Sequence, residues 1–129
     1  MNTAPTTTAP RFANGVMTIT LAGSAIDLRA NPRTARDICR LYGGITQAAH
    51  KVNGYDIESI VNIINSASGR IGKEARVTED EVFDEGLVVV GPLVSIYLNF
   101  LSTGGKAPEP PKAPDDEATE KAAAPGEAI

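Results

Sequence analysis

The feature that most constrains this chain is a run of 20 residues, from Gly86 to Gly105, without a single charge. That is the length a membrane-crossing helix needs. The run is interrupted, however, by Gly86, Gly91, Pro92, Ser95, Asn99, Ser102, Thr103, Gly104 and Gly105. Its strongest apolar part, LVVVGPLVSIYLNFL, has 15 residues and is split at Gly91-Pro92. Such a segment reads as a buried core helix rather than a membrane span. Leu93, Ile96, Tyr97, Phe100 and Leu101 fall at i, i+3, i+4, i+7 and i+8, the widest apolar helical face in the chain. Gly104-Gly105 stops this last helix.

The 129 residues suit one small domain. Most of the net charge of -4 sits in residues 106–129, where three lysines face six acidic residues. The remainder is close to neutral, which argues against nonspecific nucleic-acid binding. With 5% aromatic residues, base-stacking platforms are not expected. A single Cys gives no internal disulfide and no zinc cluster. Residues 1–10, MNTAPTTTAP, hold no aliphatic side chain larger than Ala after the first Met. They cannot offset their ordering entropy, and they lack the basic and apolar regions of a secretory signal. Residues 104–129 carry five of the nine prolines among mixed charges. They read as a disordered acidic tail, either a docking or solubilising arm or a plain spacer. Their PEPP segment does not match the spacing of an SH3-type ligand.

Between these ends, the first element is Val16 to Leu21. Met17, Ile19 and Leu21 alternate with Thr18 and Thr20, the period of a half-buried strand. Ala22-Gly23-Ser24 is a tight connection, with Gly23 supplying the positive φ of a hairpin turn. Ile26 and Leu28 then alternate on a second strand. Asn31-Pro32 opens the helical part as cap and first turn. Ala35, Ile38, Cys39 and Tyr42 define one helix face before Gly43-Gly44. Ile45, Ala48, Ala49 and Val52 repeat those offsets in a short second helix. Asp56 caps a third, with Ile57, Ile60, Val61 and Ile64 on one face. Residues 70–76 read as a basic loop. Thr78 and Glu81 form a capping box for a fourth helix, with Val82 and Phe83 facing inward. The expected fold is therefore α+β and mostly α. A two-stranded N-terminal hairpin packs on four to five short helices within residues 15–103, between a disordered arm over 1–14 and the tail over 104–129.

Candidates for chemistry are few. His50, the one histidine, lacks any second nitrogen or sulfur ligand and reads as a solvent-facing helical residue. Cys39 reads as structural, since no base is positioned for it. No phosphate-loop spacing occurs, and Asp80, Asp84, Glu79, Glu81 and Glu85 lack the calcium-loop pattern. No metal and no cofactor is expected, and an enzyme is the least supported class. Arg33, Arg36 and Arg40 form a ridge at i, i+3 and i+7, with Asp37 within it. It reads either as a basic stripe for an acidic partner or as an ordinary solvated face.

The order of features resembles a known group. It runs Val16-Met17-Thr18-Ile19-Thr20-Leu21, Gly23 and Ile26-Asp27-Leu28-Arg29, then Asp37-Ile38-Cys39-Arg40-Leu41-Tyr42-Gly43-Gly44-Ile45. Tyr55-Asp56-Ile57-Glu58-Ser59-Ile60-Val61, Ile63-Ile64, Val77-Thr78-Glu79-Asp80-Glu81-Val82 and Leu98-Asn99-Phe100-Leu101 follow. Over residues 16–103 this resembles the small tail proteins of siphophages and gene transfer agents. These are usually classed as tail assembly chaperones, and some descriptions call them tail tube proteins. The resemblance rests on packing and turn signals and brings no catalytic residues. It implies a chaperone that keeps the tape measure protein soluble in the bacterial cytoplasm during tail assembly. Other tail proteins or a second copy of the chain remain as further partners, with no nucleic acid and no membrane. The contact surface expected for that role is Leu93, Ile96, Tyr97, Phe100 and Leu101, helix in groove, with Arg33, Arg36 and Arg40 as further expected partner contacts. The competing reading of that apolar face is the domain's own core. Two other functions stay open: a tail tube or other virion subunit, and a small cellular adaptor that dimerises through its last helix. Only about 11 residues read as strand, which weighs against a tube ring.

Overall fold

The computed structural model describes residues 9–107. The elements, in order, are β1 (Arg11–Ala13), β2 (Val16–Leu21), β3 (Ser24–Arg29), α1 (Pro32–Tyr42), α2 (Ile45–Asn53), α3 (Ile57–Ser68), α4 (Gly72–Glu85) and α5 (Leu87–Ser102). The fold is α+β and mostly helical, as the periodicities imply. Of the arm (1–14) and tail (104–129) expected to be disordered, residues 1–8 and 108–129 lie outside the described residues. Gly104 and Gly105, by contrast, are described and bond back to the end of the last helix, Gly105 N–H to the Phe100 carbonyl at 2.9 Å.

The sheet is antiparallel in the order β1-β2-β3. Alternation decides its faces: Met17, Ile19, Leu21, Ile26 and Leu28 are all buried. On the other face Thr18 lies opposite Asp27, and its hydroxyl donates to the carboxylate at 2.8 Å. The expected two-stranded hairpin is in fact three-stranded. Strand β1 occupies residues assigned above to a disordered arm. Asn14-Gly15, with φ of 53° and 75°, is a two-residue turn joining β1 to β2. This dipeptide is among the strongest short hairpin signals, and it lies next to a three-residue strand too short to show a period. Phe12 anchors β1, its ring 5.1 Å from that of Phe100.

Helices α1 and α3 begin and end as their caps dictate. The Asn31 side chain accepts the Thr34 N–H at 2.8 Å, and Gly43 closes α1 in the left-handed region. The Asp56 carboxylate accepts both the backbone N–H and the hydroxyl of Ser59. The Ser59 hydroxyl is the main reason the Asp56 carboxyl titrates below the usual range.

Two expectations about the later helices are corrected. The fourth helix starts at Gly72, so residues 72–76 are helical, and Thr78 is a fully buried mid-helix residue rather than a cap. Phe83 points outward, 70% exposed. The last helix begins at Leu87 and passes through Gly91-Pro92 without ending. Pro92 cannot donate to the carbonyl of Val88, but both residues face solvent, where water can satisfy that carbonyl. Gly91 is buried because the Tyr55 ring lies over it, about 3.0 Å from where a Cβ would stand. Gly86 separates α4 from α5 at φ 104° and ψ 130°, and the two axes turn by 118° there. Among the described residues no single helix is long and apolar enough to cross a membrane. The core is one cluster drawing on β2, β3 and all five helices.

Two substitutions test this backbone account. Ala22 holds φ 52° in the β2–β3 turn, where Asn is the better residue. Ala22→Asn is expected to raise stability by about 0.5–1 kcal/mol in urea unfolding. Nothing lies within 4 Å of a Cβ built on Gly86. Gly86→Ala should nevertheless cost about 1–3 kcal/mol through backbone strain alone. A D-alanine at that position, made by chemical synthesis, should restore most of the loss.

Candidate partner-binding surfaces

The apolar face read from the last helix mostly turns inward. Tyr97 is fully buried, Phe100 is 1% exposed, Leu101 7% and Leu93 8%. Of the five residues expected to meet a partner, Ile96 alone is exposed, at 37%. The correction has a simple cause. A domain this small needs its widest apolar face for its own core. Tyr97 also makes a structural bond: its hydroxyl donates to the Arg29 carbonyl at 2.6 Å, tying α5 to the end of β3. Burial pushes the phenol well above its usual range, so it stays a donor.

The exposed side of α5 is a different stripe. Val88, Pro92, Ile96 and Asn99 all face solvent at nearly helical spacing. Val88 is 69% exposed. At the C-terminal end of this stripe, Ile96 joins Pro10, Phe12, Ser95 and Asn99 around a groove of about 430 Å³. The groove exists because β1 lies alongside α5, held by the Phe12–Phe100 ring pair. Sequence reasoning missed Val88 and Pro92, because it read the apolar face only from Leu93 onward. It missed Phe12 because that residue fell in the arm assigned to disorder.

The arginine ridge divides. Arg33, Arg36 and Arg40 are all exposed on α1. Arg33 lines a second cleft, of about 470 Å³, together with Arg29, Asn31, Asp37, Asn65, Arg70 and Ile71 among others. Arg36 and Arg40 do not line it. Arg40 instead sits in the last turn of α1, where a cation suits the helix dipole.

One wall of this cleft is fixed by a polar network between α3 and α4. The Thr78 hydroxyl lies 2.6 Å from Asn65 Oδ1 and 3.1 Å from the Glu74 carbonyl. The Asn65 amide donates to the Ala75 carbonyl at 3.1 Å. Arg70 Nη1 donates to Thr78 Oγ1 at 2.8 Å and to Glu81 Oε1 at 2.6 Å. Thr78 and Glu81 are thus linked, not as a cap but through the Arg70 side chain from the α3–α4 connection.

His50 and Cys39 are both exposed. For Cys39 this corrects its placement on the apolar face: it lies at the edge of the helix stripe, one position from buried Ile38. Among the described residues, no group of three or more His, Cys, Asp or Glu could hold a metal ion. Compared with known proteins, the chain matches no family model, no curated sequence and no solved structure.

The network generates a prediction. Thr78→Val keeps the side-chain shape but leaves Asn65 Oδ1 and an Arg70 N–H without their partner. It should destabilise the domain by about 1–3 kcal/mol in chemical denaturation. A residue acting as an exposed cap would lose less and would accept Asp, which at this buried position should be worse than Val.

Proposed function

We propose that this chain is a binding protein rather than an enzyme. In line with the resemblance set out above, we take it as a tail assembly chaperone that holds the tape measure protein during assembly in the host cytoplasm. One observation carries this reading: an apolar stripe, Val88, Pro92 and Ile96, stays outside a core that is complete without it, and runs into the Phe12 groove. Exposed apolar residues aligned on one helix mark a contact surface more often than isolated ones do. A groove beside such a stripe suits an amphipathic helix, which is what a long helical client would offer before a tube surrounds it. Ser95 and Asn99 give the groove a polar edge, a feature of reversible contacts. The sheet's two edge strands are short, three residues in β1 and six in β3, whereas a tube ring needs long strands paired between subunits.

The test is co-expression with the neighbouring long helical tail protein, followed by size-exclusion chromatography with light scattering. The wild-type chain should yield a soluble complex where the long protein alone precipitates. Ile96→Glu, a change at a partly exposed position, should leave the chain folded and abolish the complex. Rings or tubes formed by this chain alone would overturn the reading in favour of a structural tail subunit.

A further inference from the structure

We infer that the cleft between the β3–α1 junction and the α3–α4 connection is a second binding site. Its ligand is an acidic peptide segment of a partner protein with an aliphatic residue next to its carboxylates. The inference stands apart from the chaperone reading, because this cleft and the α5 groove share no lining residue.

The charge balance comes first. Three guanidinium groups line the cleft, those of Arg29, Arg33 and Arg70, against the single carboxylate of Asp37. Arg70 is already neutralised by Glu81 at 2.6 Å, the one ion pair among the described residues. Arg29 makes a long contact of 3.5 Å to the Ser68 carbonyl, and both Arg29 and Arg33 are exposed. Among the described residues, two cations therefore remain without an ion-pair partner on the rim of a concave site. Arginine presents its donors as a planar fork that fits a carboxylate with two parallel hydrogen bonds.

Ile71 then decides between a bare anion and a peptide. It lines the same cleft and is 79% exposed, the highest exposure among the large apolar residues described. It is also the N-cap of α4, extended at φ -140° and ψ 165°, and its side chain makes no capping bond. Ser, Thr, Asp or Asn at that position would accept an orphan N–H of the first turn, and isoleucine is among the poorest choices. The fold thus gains nothing from Ile71 as a cap and almost nothing from its burial. A residue that breaks a local rule without a structural return is expected at a functional surface. Beside two guanidinium groups that have no ion-pair partner among the described residues, an exposed branched aliphatic side chain offers apolar contact to the residue next to a carboxylate. Inorganic phosphate could use the arginines but not Ile71.

The probe is a synthetic peptide of alternating Glu and Leu, added to the full chain and followed by calorimetry and by amide chemical shifts. Binding should weaken with added salt. Arg29→Gln and Arg33→Gln should each weaken it about tenfold, as for loss of one charge-assisted hydrogen bond. Ile71→Ser should weaken it severalfold while moving the urea midpoint upward, since serine caps α4. A variant that is more stable yet binds less cannot owe its loss to misfolding. A Lys-Leu peptide that binds equally well overturns the proposal. So does inorganic phosphate that binds as tightly as the peptide with Ile71→Ser indifferent. A peptide that binds neither the wild-type chain nor a full-length Asp115→Asn, Asp116→Asn, Glu117→Gln variant overturns it as well. Binding confined to that variant would assign the cleft to the chain's own acidic segment and overturn the partner.

Discussion

The hydrogen bond from Tyr97 to the Arg29 carbonyl pins the last helix to the end of the sheet, where the chain turns into α1. Tyr97 is on α5, the helix that packs against α2, α3, α4 and β2. Arg29 is the last residue of β3, immediately before the turn into α1. A buried phenol must find an acceptor or lose about 1–3 kcal/mol, and the strand end supplies one. Fixing that carbonyl fixes the β3–α1 junction. Ala30 donates its N–H to the Gly15 carbonyl at 2.8 Å, so the β1–β2 turn is tied to the same point. Gly105, just past α5, closes against Ala30 and Gly15, where a Cβ would come within 3.3 Å of each. Both proposed surfaces inherit their positions from this knot. The groove needs β1 beside α5, and the cleft needs Arg29 and Arg33 presented from the junction.

Much of this was legible in the sequence, for reasons that separate cleanly. Period-two alternation in Val16–Leu21 and Ser24–Arg29 reported a half-buried sheet, because one face is buried and the other is not. Helices α1 and α3 announced themselves through caps as well as faces, with Asn31-Pro32 and Gly43 for α1 and Asp56 for α3, while α2 showed only its face. What escaped was whatever lacked a period or contradicted a local signal. Strand β1 has three residues. Thr78 carries a capping-box spacing, but its hydroxyl turns across to Asn65, a partner 13 residues away that no local pattern can reveal. Gly91-Pro92 reads as a break, yet Gly91 makes room for Tyr55 and Pro92 faces water, so the helix continues.

The candidate site was less legible than the fold. A helix buried on most sides shows no unique face in a periodicity count, since apolar residues then occur at nearly every angle. The five-residue face chosen from α5 was the largest apolar set, and size selected the core. The outward stripe is visible only once the helix start is moved back to Leu87, which brings Val88 into register with Pro92 and Ile96. The arginine ridge is exposed along α1, but only part of it joins a cleft. Spacing along α1 grouped Arg33 with Arg36 and Arg40, whereas tertiary structure groups it with Arg29 and Arg70 from other elements.

Departures from local rules in this domain fall into two kinds, and the distinction bears on function. Ala22 sits at positive φ, but its N–H donates to the Glu85 carboxylate at 3.0 Å, which ties the hairpin tip to the end of α4. Tyr55 also sits at positive φ, 59°, and its ring covers Gly91, sealing α5 against the α2–α3 turn. Each strain is matched by a tertiary contact that explains it. Ile71, Phe83 and Val88 have no such match: the first leaves a helix cap unfilled and all three expose apolar surface. Natural chains lose such residues readily when nothing selects for them, because polar replacements cost the fold nothing. That asymmetry is why unexplained residues such as Ile71 and Val88, and not the strained pair, carry the proposed binding surfaces.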